Sequence, residues 1–153
     1  MGRVWIYIIS KELSPEQMKQ LQEDGSRFVK SWTAHDLQLH SVFEIYKNRI
    51  LLVKVDESMQ AASGCSTDKL SRFIKETEQK FGIELLNRLL VAIKKEDGIE
   101  IVHASKISEL LTAGLLKEDS IIYNTAAASS EELSQWEKPL KDTWLKKYTF
   151  TKQ

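Results

Sequence analysis

Apolar positions alternate between strand-like and helix-like spacing along the first 94 residues. Residues 4–9 are β-branched and aromatic, which predicts a short buried strand. Residues 42–46 and 50–55 predict two further strands joined by a tight hairpin at Lys47-Asn48-Arg49, because Asn tolerates a positive φ. Residues 88–94 and 99–103 flank Asp97-Gly98, a pair that favours a second hairpin.

Two helical patterns separate these strands. Ser14, Pro15 and Gln17 predict a helix N-terminus, with Ser14 as the N-cap. The apolar stripe of this helix consists of Met18, Leu21, Phe28, Val29 and Trp32, with Gly25 as a weak point inside it. The second helix carries apolar residues at Leu70, Phe73, Ile74 and Phe81, and Gly82 is typical of the residue that ends a helix.

Residues 1–94 therefore read β-α-β-β-α-β, the order of a ferredoxin-like core. Residues 95–153 add a short helix at 105–113 ended by Gly114 and a strand at 120–123. A further helix is expected at 129–138, with a Ser129…Glu132 capping box at its start and an interruption at Pro139. We expect one α+β domain over residues 1–153, with six strands in one sheet and the first two helices on one face. The apolar tail residues Trp144, Tyr148 and Phe150 are expected to pack back on this domain.

The predicted topology brings two loops to the same end of the sheet. One loop follows the first helix and contains His35 and Asp36, and the other precedes the second helix and contains Asp56 and Cys65. Loops at one end of a sheet often carry binding residues. We therefore expect residues 32–36 and residues 63–68 to line one concave patch, with Trp32 as a wall of the site.

Cys65 is the only cysteine and immediately precedes the patterned part of the second helix. A helix N-terminus favours a thiolate, so Cys65 is the candidate nucleophile and His35 the candidate base, with Asp56 or Asp68 as an orienting carboxylate. Two alternatives stay open. In the first, Cys65 is a buried packing residue, although an N-cap at Ser66 or Thr67 would direct its side chain back toward the loop. In the second, His35 serves only to stabilise the end of the first helix.

The same helix N-terminus is also a candidate binding site for a small anion or a peptide. Gly64, Ser66, Thr67 and Asp68 surround it, together with Asp36 from the other loop. This pattern predicts a ligand- or partner-binding module as the alternative to an enzyme. No C-x-x-C or H-x-x-x-H spacing supports a metal site, and we expect neither a metal nor a cofactor.

Composition and charge limit the partners and the cellular location that we expect for the protein. Lys plus Arg and Asp plus Glu number 22 each, so the net charge is zero and nucleic acid is not an expected partner. The apolar runs are too short to span a bilayer, and the N-terminus has no signal-peptide pattern. A single Cys cannot form an internal disulfide, which favours a cytoplasmic location.

Several short motifs occur together in this chain: Trp-Thr-Ala-His at 32–35, Phe-Glu-Ile at 43–45, Ala-Ala-Ser-Gly-Cys-Ser at 61–66 followed by Asp68, and a Trp-containing tail. Across nearly the whole chain they resemble a small bacterial family of single-domain proteins that often carries the label "ABC transporter ATPase" and has no established chemistry. That label conflicts with the residues. A phosphate-binding P-loop needs Gly-x-x-x-x-Gly-Lys-Ser/Thr, whereas Leu70 follows Lys69 here. We therefore expect no nucleotide hydrolysis.

Overall fold

The computed structural model describes residues 2–152, with side chains described for residues 2–149. Within that range the strands are β1 (Gly2–Ile8), β2 (Thr33–Ala34), β3 (Leu37–Gln38), β4 (His40–Tyr46), β5 (Ile50–Asp56), β6 (Leu90–Lys95), β7 (Gly98–His103), β8 (Ile121–Tyr123) and β9 (Glu137–Pro139). The α-helices are α1 (Pro15–Lys30), α2 (Gly64–Phe81), α3 (Ile107–Thr112) and α4 (Ser130–Leu133). Three 3₁₀ segments cover Ala104–Lys106, Leu140–Asp142 and Trp144–Lys152. The architecture is α+β.

The first sheet has the strand order β1-β5-β4, and both pairings are antiparallel. The predicted hairpin between β4 and β5 is confirmed, because Lys47 and Asn48 take φ values of 47° and 63° and the Arg49 N–H donates to the Tyr46 carbonyl at 3.1 Å. A positive φ at both central residues matches the right-handed twist of the flanking strands. The turn residues Lys47 and Asn48 therefore determine the β4–β5 hairpin of the first sheet.

The helices α1 and α2 pack on the same face of this sheet. Leu21 of α1 and Leu70 and Ile74 of α2 share one core with Leu51 and Val53 of β5. The predicted capping box is confirmed, since the Gln17 N–H donates to Ser14 Oγ at 3.1 Å and the Ser14 N–H donates to Gln17 Oε1 at 3.0 Å. Gly82, at φ 63°, ends α2 as its sequence position predicts.

A second sheet, in the order β7-β6-β8-β9, corrects the expectation that all the strands share one sheet. Strand β6 pairs with β7 and β8 instead of completing the first sheet beside β1. Its side chains alternate: Leu90 and Ala92 pack with Val4 and Ile8 of β1, whereas Val91 and Ile93 pack with Ile107 and Leu111 of α3. The result is four layers, in which two sheets lie between two layers of helix.

The C-terminal third also differs from its pattern. The helix expected at 129–138 is only α4, Ser130–Leu133, although Ser129 caps it as predicted. The chain then forms β9, so Pro139 ends an edge strand and does not interrupt a helix. In the tail, Leu145 is buried and Tyr148 packs against the α3 core, while Trp144 is 48% exposed. The Phe150 side chain lies outside the described residues.

Candidate functional site

The His35–Asp36 segment is a hairpin turn between two very short strands. Helix α1 ends at Lys30, so the interpretation of His35 as the last turn of that helix is wrong. Strands β2 and β3 pair antiparallel, and His35 and Asp36 connect them with φ values of 52° and 65°. Positive φ values are uncommon for residues other than glycine, although His and Asp adopt them more often than most. The turn therefore holds two polar side chains on a strained backbone.

Helix α2 begins earlier than the sequence pattern predicts. Ser63 is the N-cap, because the Ser66 N–H donates to Ser63 Oγ at 3.1 Å and the Ser63 N–H donates to Ser66 Oγ at 2.7 Å. The predicted cap at Ser66 or Thr67 is therefore wrong, and Cys65 is the second residue of the helix. Its side chain is exposed, so the interpretation of Cys65 as a buried packing residue is also wrong.

Trp32 connects the hairpin to the start of α2. The indole is only 1% exposed, and its Nε1 donates to the Ser66 carbonyl at 2.8 Å. Around it, Trp5 lies edge-on with a centroid separation of 5.7 Å, and Phe28 lies at 5.1 Å. Trp32 is therefore a buried support beneath the site, where the sequence predicted a wall of it.

The hairpin turn and the first turn of α2 enclose a pocket of about 420 Å³, hereafter the Cys65 pocket. The predicted residues that line it are His35, Asp36, Gly64 and Cys65. Thr33 and Ser63, which belong to the predicted segments 32–36 and 63–68, also line it, whereas Lys69 was not predicted. Lys69 follows Cys65 by four residues, the spacing that places two residues on one side of a helix, and this was the available signal for it.

The remaining predicted residues lie elsewhere. Ser66 is fully buried beneath the pocket, and Thr67 Oγ1 donates to the Gly64 carbonyl at 2.9 Å. Asp68 lines a separate shallow pocket along α2. Asp56 lies beside His40 in another pocket, where the Ser58 backbone N–H lowers the pKa of its carboxyl group. Neither carboxylate that was expected to orient His35 lines the Cys65 pocket.

The chemistry of the Cys65 pocket favours a negatively charged ligand. The first N–H groups of α2 have no partner within the helix, and the positive end of the helix dipole lies at this terminus. Lys69 adds a cationic side chain, and Asp36 is the carboxylate among the lining residues. Over the side chains described, no group of three or more His, Cys, Asp or Glu residues is arranged to hold a metal ion.

A larger cleft, which the sequence did not predict, lies beside β1 and is hereafter the β1 cleft. Its volume is about 440 Å³, and its lining includes Trp5, Tyr7, Leu86, Arg88 and Trp144. It shares no lining residue with the Cys65 pocket. The residues that form it come from five separate parts of the chain, so no local sequence signal marks it.

Comparison of the chain with protein-family models, with curated protein sequences and with solved structures gave no match. Among residues 2–152, no helix is both long enough and apolar enough to cross a membrane. Any assignment of function therefore depends on the residues of the site.

Proposed function

We propose that the Cys65 pocket binds a small anionic molecule and that the Cys65 thiol is the reactive group of the site. The observation that supports this proposal is the position of Cys65, exposed on the first turn of an 18-residue helix, in one pocket with Lys69 and His35. A thiol near a cation and a helix N-terminus is the usual environment of a reactive cysteine.

Each side chain has a distinct role in this proposal. Lys69 and the N–H groups of Gly64 and Cys65, which the Ser63–Ser66 capping box does not use, hold the anionic part of the ligand. The Cys65 sulfur attacks an electrophilic carbon of the ligand, which forms a C–S bond while the leaving group departs with its electron pair. His35 accepts the proton that the thiol releases.

The alternative is a non-catalytic site that binds a small anion, or an acidic group of a partner protein. Lys69 and the helix N-terminus are sufficient for this function, since neither needs the thiol. The exposure of Cys65 does not decide between the two functions, because an exposed thiol can also be inert.

Alkylation of the native protein tests the proposal. Iodoacetate and iodoacetamide both transfer a carbon to sulfur and release iodide, but only iodoacetate is an anion. We expect Cys65 to react faster than glutathione, and its preference for iodoacetate over iodoacetamide to exceed that of glutathione. Removing the charge in Lys69→Gln should reduce that preference about fivefold, the effect of roughly 1 kcal/mol. Mass spectrometry at timed intervals measures both rates.

Matched variants separate the outcomes of this experiment. Lys75→Gln removes the same charge further along α2, outside the pocket, and should leave the preference unchanged. His35→Gln should slow both reagents if the imidazole is the base. A slow reaction with a retained preference for iodoacetate supports the non-catalytic alternative. If Cys65 prefers iodoacetate over iodoacetamide no more than glutathione does, both the reactive-thiol site and the non-catalytic anion site are wrong.

The wider assignment is also a proposal. The order β1-β5-β4 with α1 and α2 on one face supports a single domain related to the ferredoxin-like fold, with its fourth strand moved to a second sheet. The motif resemblance supports membership of the small bacterial family, and the missing P-loop sequence argues against nucleotide hydrolysis. A free thiol suits a cytoplasmic protein, and the neutral net charge favours a small molecule or a protein over nucleic acid as its partner.

A further inference from the structure

One edge of β1 is open along part of its length. Strand β5 occupies the other edge, and the bond from the Ile9 N–H to the Arg49 carbonyl, at 2.8 Å, shows that odd-numbered residues direct their N–H groups toward β5. Even-numbered residues therefore direct their N–H groups to the opposite edge. This is the edge that lines the β1 cleft.

Both ends of this edge are already bonded. The Val4 N–H donates to the Ala128 carbonyl and the Ser10 N–H donates to the Glu84 carbonyl, each at 3.1 Å. Between them, the outward N–H groups of Ile6 and Ile8 have no hydrogen-bond partner among the residues that the structure describes. The open edge is therefore about three residues long, and unpaired strand edges readily accept another chain.

The path of the chain explains why this space exists. After the contact at Glu84, residues 85–88 and Leu90 line the cleft, and β6 then pairs with β7 and β8. A strand that continued beside β1 would fill the space and bond Ile6 and Ile8. Its departure leaves the β1 cleft of about 440 Å³, within the size range of ligand pockets.

Among the described residues that line the β1 cleft, only Arg88 carries a charged side chain. The Arg3 guanidinium lies over the ring of Trp5, another lining residue, 4.5 Å from its centroid. Burial raises the pKa of Tyr7 to about 12, and the Arg88 guanidinium opposes that rise, so the cation lies close enough to act on the Tyr7 hydroxyl. Leu86 and Trp144 also line the cleft and stay 45% and 48% exposed. The cleft thus offers main-chain donors, apolar surface and the positive charge of Arg88.

We propose that the β1 cleft binds an extended peptide segment, which adds as a short strand to residues 6–8 of β1 and places an acidic side chain against Arg88. Added strands gain affinity from main-chain hydrogen bonds and specificity from alternate side chains. Here the Ile6 and Ile8 N–H groups supply the main-chain hydrogen bonds, and Arg88 with the apolar wall supplies the specificity.

Other occupants fit the β1 cleft less well. A small carboxylic acid can pair with Arg88. It has no pair of acceptors with the spacing of the Ile6 and Ile8 N–H groups, which lie two residues apart on the strand. A second copy of this chain needs a longer open edge, because the crossings at Ala128 and Glu84 close both ends. A peptide of about three extended residues matches the spacing of both groups.

Blocked tripeptides with a central Glu between Val, Thr or Phe residues test the proposal on the full chain. We expect at least one to bind with a Kd of roughly 1 mM or tighter, and to shift and protect the amide resonances of Ile6 and Ile8 in NMR and hydrogen-exchange measurements. Arg88→Gln should weaken binding about tenfold, the effect of losing a charge-assisted hydrogen bond. Arg72→Gln, an arginine of α2 outside the cleft lining, should leave it unchanged.

Changes in the peptide keep the test valid if Arg88→Gln fails to fold. Replacing the central Glu by Gln should weaken binding to the natural chain, and methylating the backbone nitrogens should abolish it. Equal binding of N-acetylglutamate would overturn the peptide assignment in favour of a small acid. Concentration-dependent dimerisation that protects Ile6 and Ile8 would overturn it in favour of a second copy. If no tripeptide shifts or protects the Ile6 and Ile8 amides, the proposal that the β1 cleft binds a peptide is wrong.

Discussion

At the scale of single residues, Asp24 is a buried carboxylate that several neighbours compensate. Lys80 Nζ lies 2.7 Å from Asp24 Oδ2, Gln20 Nε2 lies 2.8 Å from Oδ1, and Arg27 Nη1 lies 3.3 Å from Oδ1. Burial by itself raises the pKa of Asp24, but these hydrogen bonds outweigh burial and leave the pKa below its usual value. Because Lys80 is on α2, this carboxylate joins the two helices.

Because the pKa of Asp24 is lower in the folded protein than in the unfolded chain, its contribution to the free energy of unfolding increases with pH. The charged carboxylate stabilises the fold fully above about pH 5, and that contribution is lost as the pH falls through the unfolded value of about 3.9 toward the lower folded value. Asp24→Asn should therefore reduce the free energy of unfolding by about 1 kcal/mol at pH 7. The difference from the natural chain should shrink as the pH falls below about 4. Urea unfolding at a series of pH values measures it.

The control is Glu23→Gln, which removes a carboxylate from an exposed position beside Asp24. Its unfolding curve should follow that of the natural chain at every pH. A difference for Asp24→Asn that stayed constant with pH would show that the carboxylate does not contribute through its charge.

Residue chemistry also explains which parts of the site the sequence could predict. The connection rules brought His35 and Cys65 to the same end of the first sheet, and both line the Cys65 pocket. The hairpin at His35 was missed because its strands have two residues each and its turn lacks the usual Asn-Gly pair. The role of Trp32 depends on a bond to Ser66, 34 positions away, which no local pattern encodes.

At the scale of secondary structure, Gly25 shows how packing overrides helix propensity. Propensity alone predicts that Gly25→Ala stabilises α1. The structure gives the opposite sign, because Gly25 is buried and a Cβ there would collide with the Phe43 ring of β4. Neither the helix backbone nor the sheet can shift cheaply, so we expect a loss of about 1 to 3 kcal/mol in the free energy of unfolding.

The matched control is Gly64→Ala, since a Cβ at Gly64 meets no atom within 4 Å. This change should be neutral or slightly stabilising. Chemical denaturation followed by circular dichroism compares the two variants. If Gly25→Ala combined with Phe43→Leu recovers stability, the collision is the cause, and an increase in stability for Gly25→Ala alone would contradict it.

Element boundaries were predictable where side chains bond their own backbone. The capping residues Ser14 and Ser129 and the turn residue Asn48 each act within a few positions of the chain, and each lies where the sequence predicts. The hairpin predicted at Asp97-Gly98 is present, but its turn consists of Glu96 and Asp97, and Gly98 is the first residue of β7. The extent of α4 was not predictable. Residues 137–139 pair with β8, and that tertiary pairing overrides the helical pattern of the segment.

At the scale of the whole molecule, the sequence did not predict the division of the strands into two sheets. A strand covered on both faces reads as a continuous apolar run. Such a run is present at residues 89–93, where β6 lies between β1 and α3. The run predicts burial on both faces, but the choice between β1 and β8 as the neighbour of β6 depends on contacts far apart in sequence. That choice also creates the β1 cleft.

The two sheets are held together by an aromatic cluster, and its removal should affect the whole fold. Trp136 is 8% exposed, and its ring lies 5.1 Å from Tyr46 of the first sheet and 4.7 Å from Tyr123 of the second. Trp136→Ala should therefore lower the free energy of unfolding by about 3 to 5 kcal/mol, since it leaves a cavity between the sheets. Urea denaturation measures the loss, and Trp136→Phe should give a smaller one.

Trp144→Ala is the matched control, because this Trp is 48% exposed at the rim of the β1 cleft. It should change the free energy of unfolding by less than about 1 kcal/mol and weaken tripeptide binding, as expected for a side chain that contacts a ligand and contributes little to the core. Trp136→Ala should thus lower the free energy of unfolding, whereas Trp144→Ala should mainly weaken tripeptide binding. Equal destabilisation by both changes would contradict the division of the core into two packed sheets with an open cleft at the edge of the first.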